Sequence, residues 1–150
     1  MIAVIQRVTN SSVKVKGEIV SKISQGLLIL LGISNEDTQE DIIWLSKKIA
    51  NLRIFNDLNQ VMNKSIIDVD GDAIVVSQFT LLASTKKGNR PSYIKAAKPE
   101  TAVPIYKDFI NQFEIEINKK VGTGIFGADM KIKLLNDGPV TIIIDTKNKN

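Results

Sequence analysis

The sequence predicts an α/β fold: a single small domain in which a mixed, largely antiparallel, barrel-like sheet carries two main helices. Three observations point there. Segments rich in β-branched residues recur from residue 2 to residue 145, one of them is apolar at every position, and two others carry apolar residues at helical spacing. At 150 residues the chain has the length of one ordinary domain and can close a core without disulfides or metal.

The elements follow in order. Residues 2–9 and 13–16 alternate as strand, and Lys16-Gly17-Glu18 offers a turn into residues 19–23, a meander. Residues 27–33, LLILLGI, read as a strand buried on both faces and therefore central. Thr38 and Asp41 resemble a capping box. Ile42, Leu45, Ile49 and Leu52 then recur at helical spacing, and Lys47-Lys48 suit the negative end of the dipole. Residues 73–79, AIVVSQF, form a second buried strand, and 84–92 a polar, basic loop. A second helix over roughly 101–119 has Tyr106, Phe109, Ile110, Phe113 and Ile117 as its stripe, with Pro104 placed in the first turn, where no donor is lost. MKIKLL and VTIIID alternate as two closing strands, separated by Asn136-Asp137-Gly138-Pro139, a hairpin signal. No linker divides the chain, so residues 1–150 form one domain and 146–150 a polar tail.

Composition narrows the chemistry. Twenty Lys and Arg against 16 Asp and Glu give a net charge of +4. With a pI of about 9.3, this leans toward an anionic partner such as RNA. There is no Cys and no His, which removes the disulfide, the thiolate nucleophile, the imidazole base and the imidazole metal ligand. No apolar run approaches a membrane span, and the N-terminus lacks the features of a signal peptide. The expectation is a cytoplasmic protein with no membrane partner, no cofactor and no metal.

Three stretches could carry chemistry. Ser77, Gln78, Phe79 and Thr80 end the apolar strand with hydroxyls, an amide and free backbone donors, although Ser and Thr also end strands for structural reasons alone. Thr80 lacks a base to activate it, so donors aimed at a developing oxyanion are the better candidates. Lys86, Lys87 and Arg90 beside Tyr93 suit phosphate contact and base stacking, or form an ordinary solvated loop. The glycines of residues 122–130 lack the strand-then-helix setting of a nucleotide fingerprint and read as close packing near a pocket. Arg7, among apolar strand neighbours, reads locally as a side chain that snorkels outward.

In combination and in this order, IQRV, RIFND with MN, VVSQFTL, KGNRPSY, GIFGADM and LLNDGPVT closely resemble the D-aminoacyl-tRNA deacylase family, from Met1 to about Asp145. The resemblance implies a cytoplasmic homodimer, with pockets at the subunit interface, that hydrolyses the ester of D-aminoacyl-tRNA in translation quality control; it implies no DNA partner. Ser77, Gln78, Phe79 and Thr80 correspond to the family's active-site motif. Gly138 and Pro139 correspond to its Gly-cisPro motif, which reaches into the partner's pocket and enforces chirality. Arg7 corresponds to the arginine that supports that motif. Phe126, Ala128 and Met130 resemble the lining of a pocket for the terminal adenosine, and Lys86, Lys87 and Arg90 are the tRNA-binding candidates.

An aminoacyl ester is labile and carries a vicinal ribose hydroxyl, so an enzyme without His or Cys can work by positioning and backbone donors. The expected donors are the Phe79 and Thr80 backbone N–H groups or those of their near neighbours, with the Thr80 hydroxyl secondary. A rigid Gly-Pro element set against Cα excludes every L side chain but not glycine, so glycyl-tRNA is an expected second substrate. The competing readings are a non-catalytic tRNA- or RNA-binding module on the same fold and a small structural β domain.

Overall fold

The computed structural model describes residues 1–149; Asn150, the last residue of the expected polar tail, lies outside them. Among the described residues, eight strands and two long helices follow one another. These are β1 (Ile2–Val15), β2 (Glu18–Ile23), β3 (Gly26–Gly32), α1 (Gln39–Ala50), β4 (Phe55–Asn56), β5 (Met62–Lys64), β6 (Asp72–Ser77), α2 (Pro99–Ile117), β7 (Gly122–Thr123) and β8 (Met130–Asp145), with a 3₁₀ turn at Phe79–Leu82 between β6 and α2.

β1 organises the sheet because it is long enough to hold different neighbours along its two halves. Lys16 and Gly17, both at positive φ, turn it into β2, which pairs antiparallel with residues 11–15. The meander stops there: β3 returns to β1 rather than to β2, pairing antiparallel with residues 2–8. β6 joins β3 in parallel and β7 joins β6 in parallel, so the sheet runs β2-β1-β3-β6-β7. The last gap closes through one side chain: the Ser21 hydroxyl of β2 donates to the Thr123 carbonyl of β7 and accepts the Thr123 N–H at 2.9 Å. The result is a nearly closed barrel.

β3 reads apolar at every position because it is covered on both faces. Leu27, Ile29 and Leu31 join the core under the helices, with Ile42, Leu45 and Ile49 of α1 and Phe109, Phe113 and Ile117 of α2. Leu28 faces the other way, into a smaller core with Val8, Val13, Ile23, Ile74 and Val76. Each large apolar side chain so buried contributes about 1.5–3 kcal/mol.

α2 begins earlier than its apolar stripe suggests. Pro99 occupies the first turn, so Pro104 lies inside the helix and removes a donor from its ladder. Ile110 is only half-buried, whereas Tyr106, Phe109, Phe113 and Ile117 form the buried stripe.

The two expected closing strands are one. β8 pairs antiparallel with β1 along its length, Ile2↔Asp145 to Val15↔Met130. The ladder passes from Val8↔Asn136 to Gln6↔Thr141, so residues 137–140 bulge out opposite Arg7. The segment is a bulge in a continuous strand, because the chain does not reverse at Gly138-Pro139.

Beyond β8 the polar residues fold back. Thr146 accepts a hydrogen bond from the Met1 amino group at 2.7 Å, and that amino group also pairs with the buried Asp37. Lys147 pairs with Asp41 at 2.8 Å, and the same carboxylate accepts the Thr38 N–H at 2.8 Å and its hydroxyl at 3.1 Å, capping α1. Burial would raise the Asp41 pKa, but Lys147 and the Thr38 and Thr146 hydrogen bonds outweigh it and hold the carboxyl well below its ordinary value.

A carboxyl whose pKa is lower folded than unfolded stabilises the fold above the unfolded value, and the contribution is lost as pH falls through the folded one. Asp41→Asn is therefore expected to lower the unfolding free energy at pH 7 by about 1.5–3 kcal/mol, the range for a hydrogen bond to a charged group. Urea melts should show the gap between parent and variant shrinking progressively below about pH 4. The same gap at pH 7 and pH 2 contradicts this account.

Candidate active site

The parallel pair β3–β6 stops at one edge of the barrel, and the candidate site is built where it stops. Gln78 supplies the last rung, its N–H donating to the Leu31 carbonyl at 2.8 Å. The chain then tightens into the 3₁₀ turn at Phe79–Leu82. The leading donors of a helical turn have no acceptor within it. Among the described residues, the backbone N–H groups of Phe79 and Thr80 find none elsewhere. Thr80 is exposed, and its Oγ1 accepts the Gln78 side-chain amide at 2.6 Å.

A cleft of about 270 Å³ opens beside this turn. Ser77, Gln78 and Phe79 line it together with Phe126, Ala128 and Met130. Two segments separated by nearly fifty residues thus meet at one cavity. Leu31, Ile33, Val76 and Ile132 make its remaining lining largely apolar, with the Asp129 carboxylate at the edge. Ala97 and Ala102 also contribute, Ala102 from the first turn of α2. Sequence reasoning missed both, because a small residue at a wall carries no signal of its own.

Two local features hold the walls together. The Tyr106 hydroxyl of α2 donates to the Val75 carbonyl at 2.7 Å, two residues before Ser77. Its ring lies 5.8 Å from that of Phe126 in the other lining segment. Burial pushes the Tyr106 phenol up to about 12, so it remains a neutral donor. A Cβ at Gly124 would run into the Met130 sulfur, so the glycine permits the close packing expected for this segment.

The basic loop does not reach the cleft. Ser84 and Ser92 pair across its base, leaving Lys86, Lys87 and Arg90 exposed beyond them. Its connection to the site is aromatic: the Tyr93 ring meets Phe79 edge to face at 5.0 Å. Phe79 itself is 55% exposed, an apolar ring at the rim that Tyr93 covers only in part.

Arg7 corrects the local expectation that it points outward. It is 6% exposed and turned inward, with Nη1 donating to the Ile54 carbonyl at 2.7 Å. Nε donates to the Asp137 carbonyl at 3.3 Å and stands 3.1 Å from the Asp137 carboxylate. A buried guanidinium needs such partners, and the bulge supplies two of them. Gly138 follows at φ +121°, with the Gly138-Pro139 peptide cis. A Cβ there would lie 2.9 Å from Val140 Cγ2 and 3.0 Å from Arg7 Nη2, so both conformation and space require glycine. Gly138 and Pro139 are exposed, and neither lines the cleft of its own chain.

Arg7→Lys keeps the charge but cannot reach the Ile54 and Asp137 carbonyls together. Amide hydrogen exchange should accelerate about tenfold or more at Asp137, Gly138 and Val140, while α2 keeps its protection. Equal protection of the bulge in both proteins contradicts a holding role for Arg7.

Comparison with known proteins places this arrangement. The family described as D-Tyr-tRNA(Tyr) deacylase matches residues 4–145. A protein of Flavobacterium psychrophilum named D-aminoacyl-tRNA deacylase is 66% identical over 149 residues, covering 99% of both chains. One of Christiangramia forsetii with the same name is also 66% identical over the same span and coverage. Among solved structures, the c-Myc DNA Unwinding Element Binding Protein superposes with a TM-score of 0.91 at 42% identity, covering 97% of this chain and 98% of that one. A probable eukaryotic D-amino acid tRNA deacylase superposes with a TM-score of 0.82, covering 95% of this chain and 97% of that one. At 14% identity, the latter likeness concerns the fold alone.

Proposed function

The chain belongs to the D-Tyr-tRNA(Tyr) deacylase family, and from that premise we propose that it is a D-aminoacyl-tRNA deacylase, hydrolysing the ester between a D-amino acid and the terminal ribose of tRNA in the cytoplasm. The observation that carries the chemistry is the pair of unpartnered N–H groups at Phe79 and Thr80, beside a cleft with largely apolar walls.

The terminal adenosine enters the cleft between Ser77–Phe79 and Phe126, Ala128 and Met130, which brings the ester carbonyl to the start of the 3₁₀ turn. Water attacks that carbonyl, and negative charge develops on its oxygen. The Phe79 and Thr80 N–H groups stabilise it, each worth roughly 10²–10³ in rate for a preorganised donor. The vicinal ribose hydroxyl, supplied by the substrate, assists proton transfer as the C–O bond to the ribose breaks. Free amino acid and tRNA leave. Gln78 orients Thr80 through the 2.6 Å amide-to-hydroxyl contact, which leaves the hydroxyl an auxiliary role.

Chirality is assigned to the bulge. Because Gly138 and Pro139 are exposed and absent from their own chain's cleft, they act on substrate in a second copy, making the working form a homodimer. The half-exposed Phe79 ring at the rim suits the same arrangement. Arg7 holds the bulge so that its backbone occupies the space an L side chain needs, while a D side chain points elsewhere. Lys86, Lys87 and Arg90 take phosphates further along the acceptor end, outside the cleft.

Incubation with D- and L-tyrosyl-tRNA tests the reading: selective loss of the D ester is expected, and tight binding without turnover would instead favour a non-catalytic RNA-binding module. Thr80→Ala should retain activity within about tenfold, since the hydroxyl supplies neither donor of the oxyanion site; complete loss with the fold intact would refute the backbone-donor mechanism. Glycyl-tRNA should also be cleaved, because glycine has no side chain to clash. Its survival where D-tyrosyl-tRNA is cleaved counts against a steric filter.

A further inference from the structure

The chain has one tryptophan, and nothing in the chemistry above uses it. Trp44 is half-buried on α1, between two surface hollows of about 700 and 650 Å³ that share Trp44, Lys48 and Leu52. Lys48 Nζ stands 5.6 Å from the centroid of its ring and Lys149 Nζ 4.5 Å. The rest of the surface alternates apolar and basic: Ile43 and Ile143 are 45% and 69% exposed, and Lys47 and Arg53 complete the hollow on the α1 side.

Among the described residues, Lys47, Lys48 and Lys149 have no carboxylate partner, although two of them lie over the Trp44 ring. Arg53 donates to the Asn63 carbonyl and side-chain amide oxygen, and its charge also acts on the Asp68 carboxylate without forming an ion pair with it. Of the two acidic residues nearby, Glu40 and Asp145, the second already accepts the Lys147 N–H and the Asn148 amide.

We propose that this face is a second contact with RNA, in which phosphates lie along Lys47, Lys48 and Arg53 and a base or sugar packs on Trp44. The inference rests on the reading of a tRNA substrate. A cleft of about 270 Å³ admits only the end of such a molecule, so most of a tRNA must meet the protein elsewhere. RNA matches both halves of the patch at once, because its strand alternates charged phosphates with flat apolar faces that stack on aromatic side chains. An acidic peptide answers the lysines but leaves the indole and isoleucines to chance side chains.

The test compares two substrates in the full-length protein: D-tyrosyl-tRNA, and the D-tyrosyl ester of adenosine, which fills the cleft but cannot reach Trp44. In the double variant Lys47→Gln, Lys48→Gln, KM for the tRNA should rise about tenfold. The slope of log KM against log salt should fall by about 1–2, since each lost phosphate contact removes about one unit. Kinetics on the adenosine ester should be unchanged. Lys149→Gln, outside the helix, should move KM in the same direction, which separates RNA contact from a change in helix-end stability.

The single tryptophan supplies a readout that needs no turnover: uncharged tRNA should quench Trp44 fluorescence saturably. Equal KM for parent and variants on tRNA, an equal change on both substrates, or quenching by polyglutamate but not by tRNA overturns the proposal, the last in favour of an acidic protein partner. If the parent cleaves neither substrate, the deacylase reading fails, and the quenching experiment still decides whether this face binds RNA.

Discussion

One mismatch of length shapes the bulge at Gly138-Pro139 and the burial of Arg7. β8 lies against β1 on both sides of Arg7, but between the pairs Val8↔Asn136 and Gln6↔Thr141 it carries more residues than the ladder can hold. Residues 137–140 must leave the sheet. The gap they leave opposite Arg7 would bury an unsatisfied guanidinium, and the same segment answers it with the Asp137 carbonyl and carboxylate. Extrusion of the bulge and inward rotation of Arg7 are therefore one event. The Ile54 carbonyl adds a third partner and ties the bulge to the start of the β4–β5 hairpin. Gly138 is the residue that lets the chain turn there without striking Arg7 or Val140.

A second constraint lies at the other end of the ladder system. β3 and β6 are parallel and buried on both faces, so their ends leave backbone groups that no further strand satisfies. Gln78 closes the last rung, and the next two N–H groups remain available beside an apolar cleft. Phe79 and Thr80 are both exposed at the rim of that cleft, so these donors face solvent until a ligand covers them. In a chain with neither His nor Cys, the catalytic proposal rests on these backbone donors. The Tyr106 contact with Val75 and the Phe126 ring makes the cleft a property of α2 as well as of the two walls.

Much of this was legible in the sequence where it rests on local pattern. The apolar run at residues 27–33, the capping residues Thr38 and Asp41 and the stripe of α2 all follow from periodicity or side-chain chemistry within a few residues. The strand expected over residues 73–79 instead ends at Ser77, just before the chain tightens into the 3₁₀ turn. The glycine-rich stretch was legible as close packing near a pocket, and Gly124 lies against Met130 at the cleft wall. Failures came where local rules leave a choice that distant residues make. Asn136-Asp137-Gly138-Pro139 has the composition of a hairpin turn, yet both flanking halves find the same partner, β1, in the same direction, and the chain never reverses. Arg7 has the neighbours of a snorkelling side chain, yet Ile54 and Asp137 supply carbonyls that make the interior acceptable. Pro104 suits a first turn by itself, but Pro99 had already begun the helix.

The sequence by itself determined the elements that rest on local periodicity, the exclusion of imidazole and thiol chemistry, and, through motifs spread along nearly the whole chain, the family. Tertiary structure decided which β1 edge received β3, that Ser77–Phe79 and Phe126–Met130 line one cavity together, and that Gly138-Pro139 stands outside the cleft of its own chain. The physical reason is range. Helical stripes and strand ends are set by residues within a turn or two, whereas pairing register, burial of a charge and the meeting of two walls depend on groups brought together by the closing of the barrel.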